Sequence, residues 1–351
     1  MKHHDIITIG NGTGQGVILR ALRRLTDLDR VTALVGVTDN GGHSGTLRQV
    51  LNMASMGDVK TVIASLTSET VWGQLFRHRF SQGRLKGISL GNLMLAAMYE
   101  EGGSLYNATH RLSQALEIKA HIIPISDSNS QIVAELSDGS EVIGEWETIT
   151  RANRNASIIS VHHKPTLVTN PLALKSLKNA HWIIVCPGTL WLGIGSILTA
   201  PGVREAIARS SAIVVAVGNA LTQPGVTDGL SAKRHLEILE KLLGRKVDFY
   251  LVHHRPLPEN ILGKYREKGF EPVVDDLEDD GTRVVRGDLV SEEFLASVDR
   301  VHYDPERGYP HSMRHDPGML ARILLHLSEV TAENEKFAST PREERYEVKD
   351  F

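Results

Sequence analysis

The first forty residues place a glycine-rich loop between two apolar segments, and this unit limits the fold more than any other part of the sequence. Residues 5–9 form a short apolar run, and residues 10–16 read Gly-Asn-Gly-Thr-Gly-Gln-Gly. Apolar residues then recur at helical spacing over 17–25, and a second apolar run follows at 31–37. Two buried strands around one amphipathic helix predict a parallel pair joined by a right-handed crossover.

The same alternation of strand and helix patterns returns in the second half of the chain. Apolar runs at 182–186, 212–217 and 247–252 predict buried strands. Helical patterns lie before or between them, at 172–180, 203–209 and 231–243. Alternation of this kind predicts a three-layer α/β/α, Rossmann-like architecture with a doubly wound and mostly parallel sheet.

The middle of the chain has a different pattern. Residues 58–118 have mostly helical spacing, whereas residues 121–150 suggest antiparallel strands. Within the latter segment, alternating residues at 131–136 and 141–146 flank an Asp-Gly turn, which is a strong hairpin signal. We interpret this region as a helical section followed by a small antiparallel β insertion.

No linker composition or internal repeat divides the 351 residues. The sequence therefore predicts a single domain over 1–330, with the β insertion at about 121–150 inside it. From residue 331 to 351 the chain is rich in Glu, Lys and Arg and poor in apolar residues. We expect a charged, flexible tail there, because such a segment cannot bury enough apolar surface to fold.

Composition limits the partners and the compartment. Lys and Arg number 39 against 42 Asp and Glu, for a net charge of −3, so a basic nucleic-acid binder is not expected. Cys186 is the one cysteine, which fits a reducing cytoplasm. The first residues do not resemble a signal peptide, and no apolar stretch reaches the roughly 18 residues that a membrane span needs. The expectation is a cytoplasmic protein without membrane insertion.

The 16 histidines raise the question of a metal site. Two adjacent pairs, at 162–163 and 253–254, lie in extended segments, where neighbouring side chains point to opposite faces. The sequence contains no H-E-x-x-H or C-x-x-C motif. We therefore predict no structural zinc site.

The loop at 10–16 follows a strand and opens a helix, so its backbone amides and the helix N-terminus form a ready anion site. Glycines there allow a phosphate to approach the backbone closely. The alternative is a tight turn that binds no ligand. The loop is not a Walker motif, because no Gly-Lys-Ser/Thr follows.

A second polar loop covers 38–48, just after the second predicted strand, and contains Asp39. Its glycines and short polar side chains exceed what a connection needs, although a flexible turn is the alternative interpretation. Asp39 would lie at the carboxyl edge of the sheet. There it could hold a ligand hydroxyl or a Mg²⁺ ion that bridges phosphates.

Three further polar clusters lie near predicted strand ends or helix starts, at 89–92, at 187–190 and from Asn219 through 222–229. Each alone could be a helix cap or an ordinary loop. Open α/β sheets bind ligands at their carboxyl edge, where strand order reverses. Five glycine-bearing loops placed along that edge predict one shared ligand site.

Arg314 precedes a predicted helix at 317–328, for which Asp316 is the expected cap and Pro317 the first residue. A cation at a helix start opposes the helix dipole, so Arg314 suggests a bound anion. The nucleotide- or phosphate-binding residues predicted in these ways are Gly10, Asn11, Gly12, Thr13, Gly14, Asp39, Asn40, Gly41, Ser89, Asn92, Gly188, Thr189, Asn219 and Arg314.

Taken together, these motifs resemble those of the YvcK-type gluconeogenesis factors, which are relatives of CofD, the 2-phospho-L-lactate transferase. The resemblance covers about 5–328 and also includes Gly57-Asp58. Three positions depart from the family pattern. Asn11 replaces a usual glycine, Asn40 replaces a frequent second aspartate, and His43 replaces a common serine.

The resemblance implies a nucleotide in the carboxyl-edge cleft and two alternatives for function. One is a regulatory protein that binds UDP-sugars and is linked to carbon metabolism and cell shape, with no settled reaction. The other is a CofD-like transferase that acts on a nucleoside diphosphate ester with a divalent metal. Asp39 is then the candidate metal ligand and the only candidate catalytic residue. Asn40 removes a second carboxylate that a hard cation would prefer. A homo-oligomer is compatible with the sequence.

Overall fold

The computed structural model describes residues 1, 3–278, 283–291, 295 and 313–333. Ten strands are defined within these residues. Their bounds are β1 Ile6–Gly10, β2 Val31–Val35, β3 His121–Pro124, β4 Gln131–Leu136, β5 Glu141–Ile143, β6 Ile158–Lys164, β7 Trp182–Val185, β8 Ile213–Val217, β9 Phe249–His253 and β10 Arg283–Gly287.

Thirteen α-helices are defined in the same residues, together with short helical turns. Their bounds are α1 Gly12–Leu22, α2 Gly42–Leu51, α3 Gly57–Leu66, α4 Val71–Arg77, α5 Leu90–Gly102, α6 Leu105–Ala115, α7 Glu145–Thr150, α8 Pro171–Asn179, α9 Gly195–Leu198, α10 Val203–Arg209, α11 Ala232–Leu243, α12 Glu259–Arg266 and α13 Pro317–Glu333. The helical section predicted at 58–118 therefore corresponds to α3 through α6.

The main sheet has the strand order β10-β9-β8-β7-β1-β2-β3, and every neighbouring pair is parallel. The chain moves from β1 outward through β2 to β3, then returns beside β1 at β7 and continues the other way. The order therefore reverses between β1 and β7. This doubly wound arrangement confirms the predicted α/β fold class, and the reversal marks where a ligand crevice is expected.

The central strands are apolar along their whole length because helices cover both faces of the sheet. Every residue of β1, β2 and β7 is buried. Their Val, Ile, Leu and Trp residues belong to a hydrophobic core that also takes residues from α1, α3 and α11. Strands buried on both faces lose the polar–apolar alternation of one-sided sheets, which explains the continuous apolar runs in the sequence.

The small antiparallel sheet has the order β5-β4-β6. The predicted hairpin between β4 and β5 is confirmed, and Gly139 in its turn has a φ of +84°. Two details of the prediction were wrong. Residues 121–124 form a parallel edge strand of the main sheet rather than part of the insertion. The second hairpin strand ends at Ile143, because α7 begins at Glu145.

The last described helix, α13, begins as predicted. Asp316 caps it by accepting a hydrogen bond from the Met319 backbone N–H at 2.7 Å, and Pro317 is its first residue. The helix extends past residue 328 to Glu333, so the first residues assigned to a tail at 331–351 are helical. The rest of that segment, from residue 334 on, lies outside the described residues. No described helix is both long and apolar enough to span a bilayer.

Candidate functional site

The loop between β1 and α1 lies at the point where strand order reverses. Asn11 precedes α1 with extended backbone angles and forms no side-chain cap, and the first turn of α1 contains no acidic residue. Gly12 has a φ of +50°, which favours glycine. The uncapped start of the helix therefore keeps both its N–H donors and its positive dipole end for an anion.

Two glycines of this loop have a packing role. A Cβ on Gly14 would lie 1.9 Å from the Pro187 carbonyl oxygen, and one on Gly10 would lie 2.8 Å from the Cys186 Cβ. These positions must be small because the loops after β1 and β7 touch. Gly12 instead faces Asp58, whose Oδ1 would lie 2.8 Å from an added Cβ. The remaining residue of the predicted set in this loop, Thr13, is exposed.

Arg20 and Arg314 supply positive charge beside α1. Helical side chains lean toward the helix N-terminus, and the Arg20 guanidinium accordingly lies next to Gly16, 3.6 Å from the position of an added Cβ. Burial, and then the charges of Arg314 and Arg23, lowers the pKa of Arg20. Among the described residues nothing accepts a hydrogen bond from the Arg20 guanidinium.

Asp39 lies at the carboxyl end of the β2 segment, as predicted. Its Oδ1 accepts a hydrogen bond from the Gly41 backbone N–H at 3.0 Å. A Cβ on Gly57 would lie 2.7 Å from Asp39 Oδ2 and 2.3 Å from Ser44 Oγ, so Asp39 faces the start of α3. The next residue of that helix is Asp58.

Asp58 is a second carboxylate at this site. Its Oδ2 accepts a hydrogen bond from Asn11 Nδ2 at 3.2 Å. Asp39 and the Ser44 hydroxyl thus face the first residue of α3, and Asp58, bonded to the Asn11 amide, is the second residue of that helix. Carboxylate, hydroxyl and amide oxygens suit a hard divalent cation, so these residues fit Mg²⁺. The sequence analysis placed Asp58 in the family motif but gave it no role.

Asn40 and Asn219 use their amides inside the protein. Asn40 Oδ1 accepts from the Trp146 backbone N–H at 2.8 Å, and Asn40 Nδ2 donates to Glu147 at 2.6 Å. Asn219 donates to the Gly188 carbonyl at 2.7 Å and accepts from the Gly188 N–H at 3.0 Å. Asn40 therefore anchors α7, and Asn219 fixes the loop after β7. A role for either in ligand binding remains a prediction.

Ser89 and Asn92 lie at the start of α5, and the segment before them is not a strand of the main sheet. The expectation that five loops follow successive strands was therefore wrong for this one. The side chains of both residues are buried, and neither Ser89 Oγ nor Asn92 Oδ1 has a hydrogen-bond partner. Buried polar atoms without a hydrogen-bond partner lower the free energy of unfolding, so the start of α5 is an unusual position for them.

A shallow cleft opens at the carboxyl ends of β7 and β8, next to Gly188 and Asn219. The other polar groups of its lining include Cys186, His235 and Tyr250. Burial raises the pKa of Cys186 and of Tyr250 and lowers that of His235, so all three are uncharged near neutral pH. The cleft offers no charge to a phosphate.

One further group of potential metal ligands lies on the antiparallel sheet, away from the crevice. Glu135, Glu141 and His162 have ligand atoms within 4.8 Å of one another. His162 Nδ1 lies 3.2 Å from Glu135 Oε1, and both side chains are more than 40% exposed. The sequence analysis did not predict this group.

Comparison with known proteins decides the family. A family profile described as 2-phospho-L-lactate transferase CofD matches residues 6–290. The chain belongs to the CofD family.

Relatives of this chain are named gluconeogenesis factors. The Halalkalibacterium halodurans protein of that name is 36% identical over 79% of this chain and 85% of its own length. The Bacillus subtilis gluconeogenesis factor is 34% identical over 82% of this chain and 91% of its own length. The resemblance found in the sequence motifs is thereby confirmed.

A solved structure supports the fold of this CofD-family chain. The crystal structure of a UPF0052 family member from Bacillus halodurans superposes with a TM-score of 0.82 at 32% identity. The match covers 93% of this chain and 99% of that one. The overall fold described above therefore has an experimental counterpart.

Proposed function

We propose that this CofD-family protein is a cytoplasmic regulatory protein that binds a nucleotide-sugar in the crevice between β1 and β7. The observation that carries the proposal is the start of α1, which has no side-chain cap and no acidic residue in its own first turn. Arg20, which has no partner among the described residues, extends toward it and lies beside Gly16. A diphosphate there would receive backbone N–H donors and two guanidinium groups, since Arg314 lies close to Arg20. The names of the relatives support a role in carbon metabolism, and the proposal extends that role to cell shape.

Other residues have supporting roles in this proposal. In this proposal Gly188 and Thr189 contact the ligand from the opposite side of the crevice, and Asn219 holds Gly188 in place. Asp39 receives a hydroxyl of the sugar or ribose, since one of its oxygens already accepts from Gly41.

The pair of carboxylates favours a second candidate, a CofD-like phospho-ester transferase. Asn40 stands where the family frequently has a second aspartate. Asp58 nevertheless supplies a second carboxylate at the start of α3, which Asp39 faces. A divalent metal held there would neutralise phosphate charge. Asp39 and Asp58 would hold it, while Arg20 and Arg314 would orient the phosphates, which is positioning and electrostatic stabilisation.

Calorimetry with UDP-, GDP- and ADP-sugars tests the first candidate, in Mg²⁺ and again in EDTA. We expect saturable binding of at least one of them, with the highest affinity for UDP-sugars. The absence of binding to all three in both conditions would contradict the proposal. If chromatography detects the release of free nucleotide in Mg²⁺, the transferase is favoured instead.

A further inference from the structure

Lys60 is a largely desolvated cation that has no counter-ion among the described residues. It lies on α3 one turn after Gly57, and residues three apart share a helix face, so it extends from the face that meets Asp39 and Ser44. Burial, and then the charge of Arg79, lowers the pKa of Lys60 to about 8. No described residue accepts a hydrogen bond from its ammonium group or pairs with it.

Arg79 connects Lys60 to the start of α5. Arg79, whose charge acts on Lys60, pairs its backbone with Ser89, and α3 packs against α5. The Arg79 guanidinium donates to the Gly87 carbonyl. Two cations therefore lie together, and Ser89 and Asn92 add buried polar atoms that have no partner.

The backbone N–H groups at the start of α5 are mostly satisfied within the protein. The N–H groups of Leu90, Asn92 and Leu93 already donate to carbonyls of His78 and Ser89. The helix end alone is therefore not an anion site. Among the described residues, the unsatisfied groups are side-chain atoms, namely the Lys60 ammonium, the Ser89 hydroxyl and Asn92 Oδ1.

We propose that Lys60, Arg79, Ser89 and Asn92 form a subsite for a phosphate or carboxylate anion, separate from the diphosphate site at α1. An anion would neutralise the two facing cations and accept hydrogen bonds from Lys60 and the Ser89 hydroxyl. It would do so one helical turn from Asp39, on the side of the crevice that faces the helical section. The anion is either a free phosphate or an acidic group carried by the sugar of the bound nucleotide.

Titration calorimetry on the full chain distinguishes these two sources. The variant is Lys60→Met, which keeps the apolar stem, and the control is Lys175→Met, at an exposed lysine on α8. One arm uses inorganic phosphate as the probe. The other compares UDP-glucuronate with UDP-glucose, which differ by one carboxylate on the sugar.

For a free phosphate, Lys60→Met should weaken phosphate binding at least tenfold, with the control within twofold of the wild type. For an acidic sugar, the wild type should prefer UDP-glucuronate at least tenfold, and Lys60→Met should abolish that preference. Ser89→Ala, which removes only the hydroxyl, should weaken the same interaction by about threefold or more. If neither phosphate affinity nor the preference changes in Lys60→Met, the proposal is overturned.

Two outcomes separate this subsite from the proposed function. UDP-glucose affinity should stay within about threefold of the wild type in Lys60→Met, because the diphosphate is held at α1. If the wild type binds neither UDP-sugar, the preference for UDP-sugars in the proposed function fails, and the phosphate arm still decides on Lys60. Lys60→Arg keeps the charge and should retain most of the phosphate affinity. A thermal melt of each variant confirms that it is folded.

Discussion

The start of α1 and the loop after β8 lie at the same edge of the sheet, but their polar groups are satisfied in opposite ways. Asn219, after β8, uses both polar atoms of its amide on the peptide of Gly188. Beside α1, Arg20 is half-buried and has no acceptor among the described residues. Groups whose bonds are complete inside the protein hold the scaffold, whereas those left without partners are available to a ligand.

The contact between the loops after β1 and β7 should be the hardest part of the scaffold to change. In Gly14→Ala, the new Cβ would meet the Pro187 carbonyl oxygen, a backbone atom that cannot move aside. We expect the free energy of unfolding to fall by about 3 kcal/mol in urea melts, as overpacking does elsewhere. Gly263→Ala, on α12 with open space around it, is the control and should be neutral or stabilising. A Gly14→Ala protein as stable as the wild type would show that the loops do not touch.

Asn219 tests the scaffold half of the comparison directly. Asn219→Ala removes two hydrogen bonds to Gly188 and should lower the free energy of unfolding by about 2 kcal/mol. Asn155→Ala, at an exposed position, should change it by less than about 0.5 kcal/mol. Full stability of Asn219→Ala combined with lost nucleotide binding would instead make Asn219 a ligand group.

His315 offers a smaller, pH-dependent effect on the same scaffold. Its ring is buried and donates from Nε2 to the Gly218 carbonyl, while burial lowers its pKa to about 4 from 6.5. The folded protein therefore resists a proton that the unfolded chain accepts below pH 6.5, so stability falls as the pH falls. Between pH 7 and pH 5.5 this residue should lower the free energy of unfolding by about 1.4 kcal/mol, because pH 5.5 lies one unit below the pKa of the histidine in the unfolded chain.

For His315, the quantity to compare between variant and wild type is the pH dependence of the free energy of unfolding, not its value at one pH. His315→Gln is not protonated in this range, so its free energy of unfolding should fall less between pH 7 and pH 5.5 than that of the wild type. The difference in slope isolates His315 from other buried histidines such as His163 and His235, whose pKa values burial also lowers. Equal slopes would contradict a depressed pKa at His315.

The sequence could predict those parts of the fold that depend on local pattern. The strand, loop and helix at 5–25 and the helix at 203–209 were found because apolar spacing and glycine placement act over short distances. The second hairpin strand was extended too far, because α7 depends on Asn40, 106 residues earlier in the chain, which accepts from Trp146. The strand β10 was not predicted at all.

The candidate site was predictable in position but not in full membership. Asp39 and the loop at 10–16 follow strands, so the parallel topology places them at one edge. Arg20 and Lys60 look like ordinary helical cations in the sequence, because i,i+3 and i,i+4 patterns do not show which neighbours lack a counter-ion. That property appears only when α1, α3 and α5 are packed together.

The central claim, that the start of α1 holds the diphosphate of a nucleotide-sugar, depends most on Arg20. Arg20→Met keeps the apolar stem but removes the charge, and Arg322→Met, at an exposed arginine on α13, is the matched control. Calorimetry with UDP-glucose should show a loss of one to two decades of affinity in Arg20→Met, or about 1.4 kcal/mol per decade. The empty variant should melt at the same temperature as the wild type or higher, because a desolvated charge has been removed. An unchanged affinity, or a lower melting temperature with the full UDP-glucose-induced shift retained, would contradict the claim.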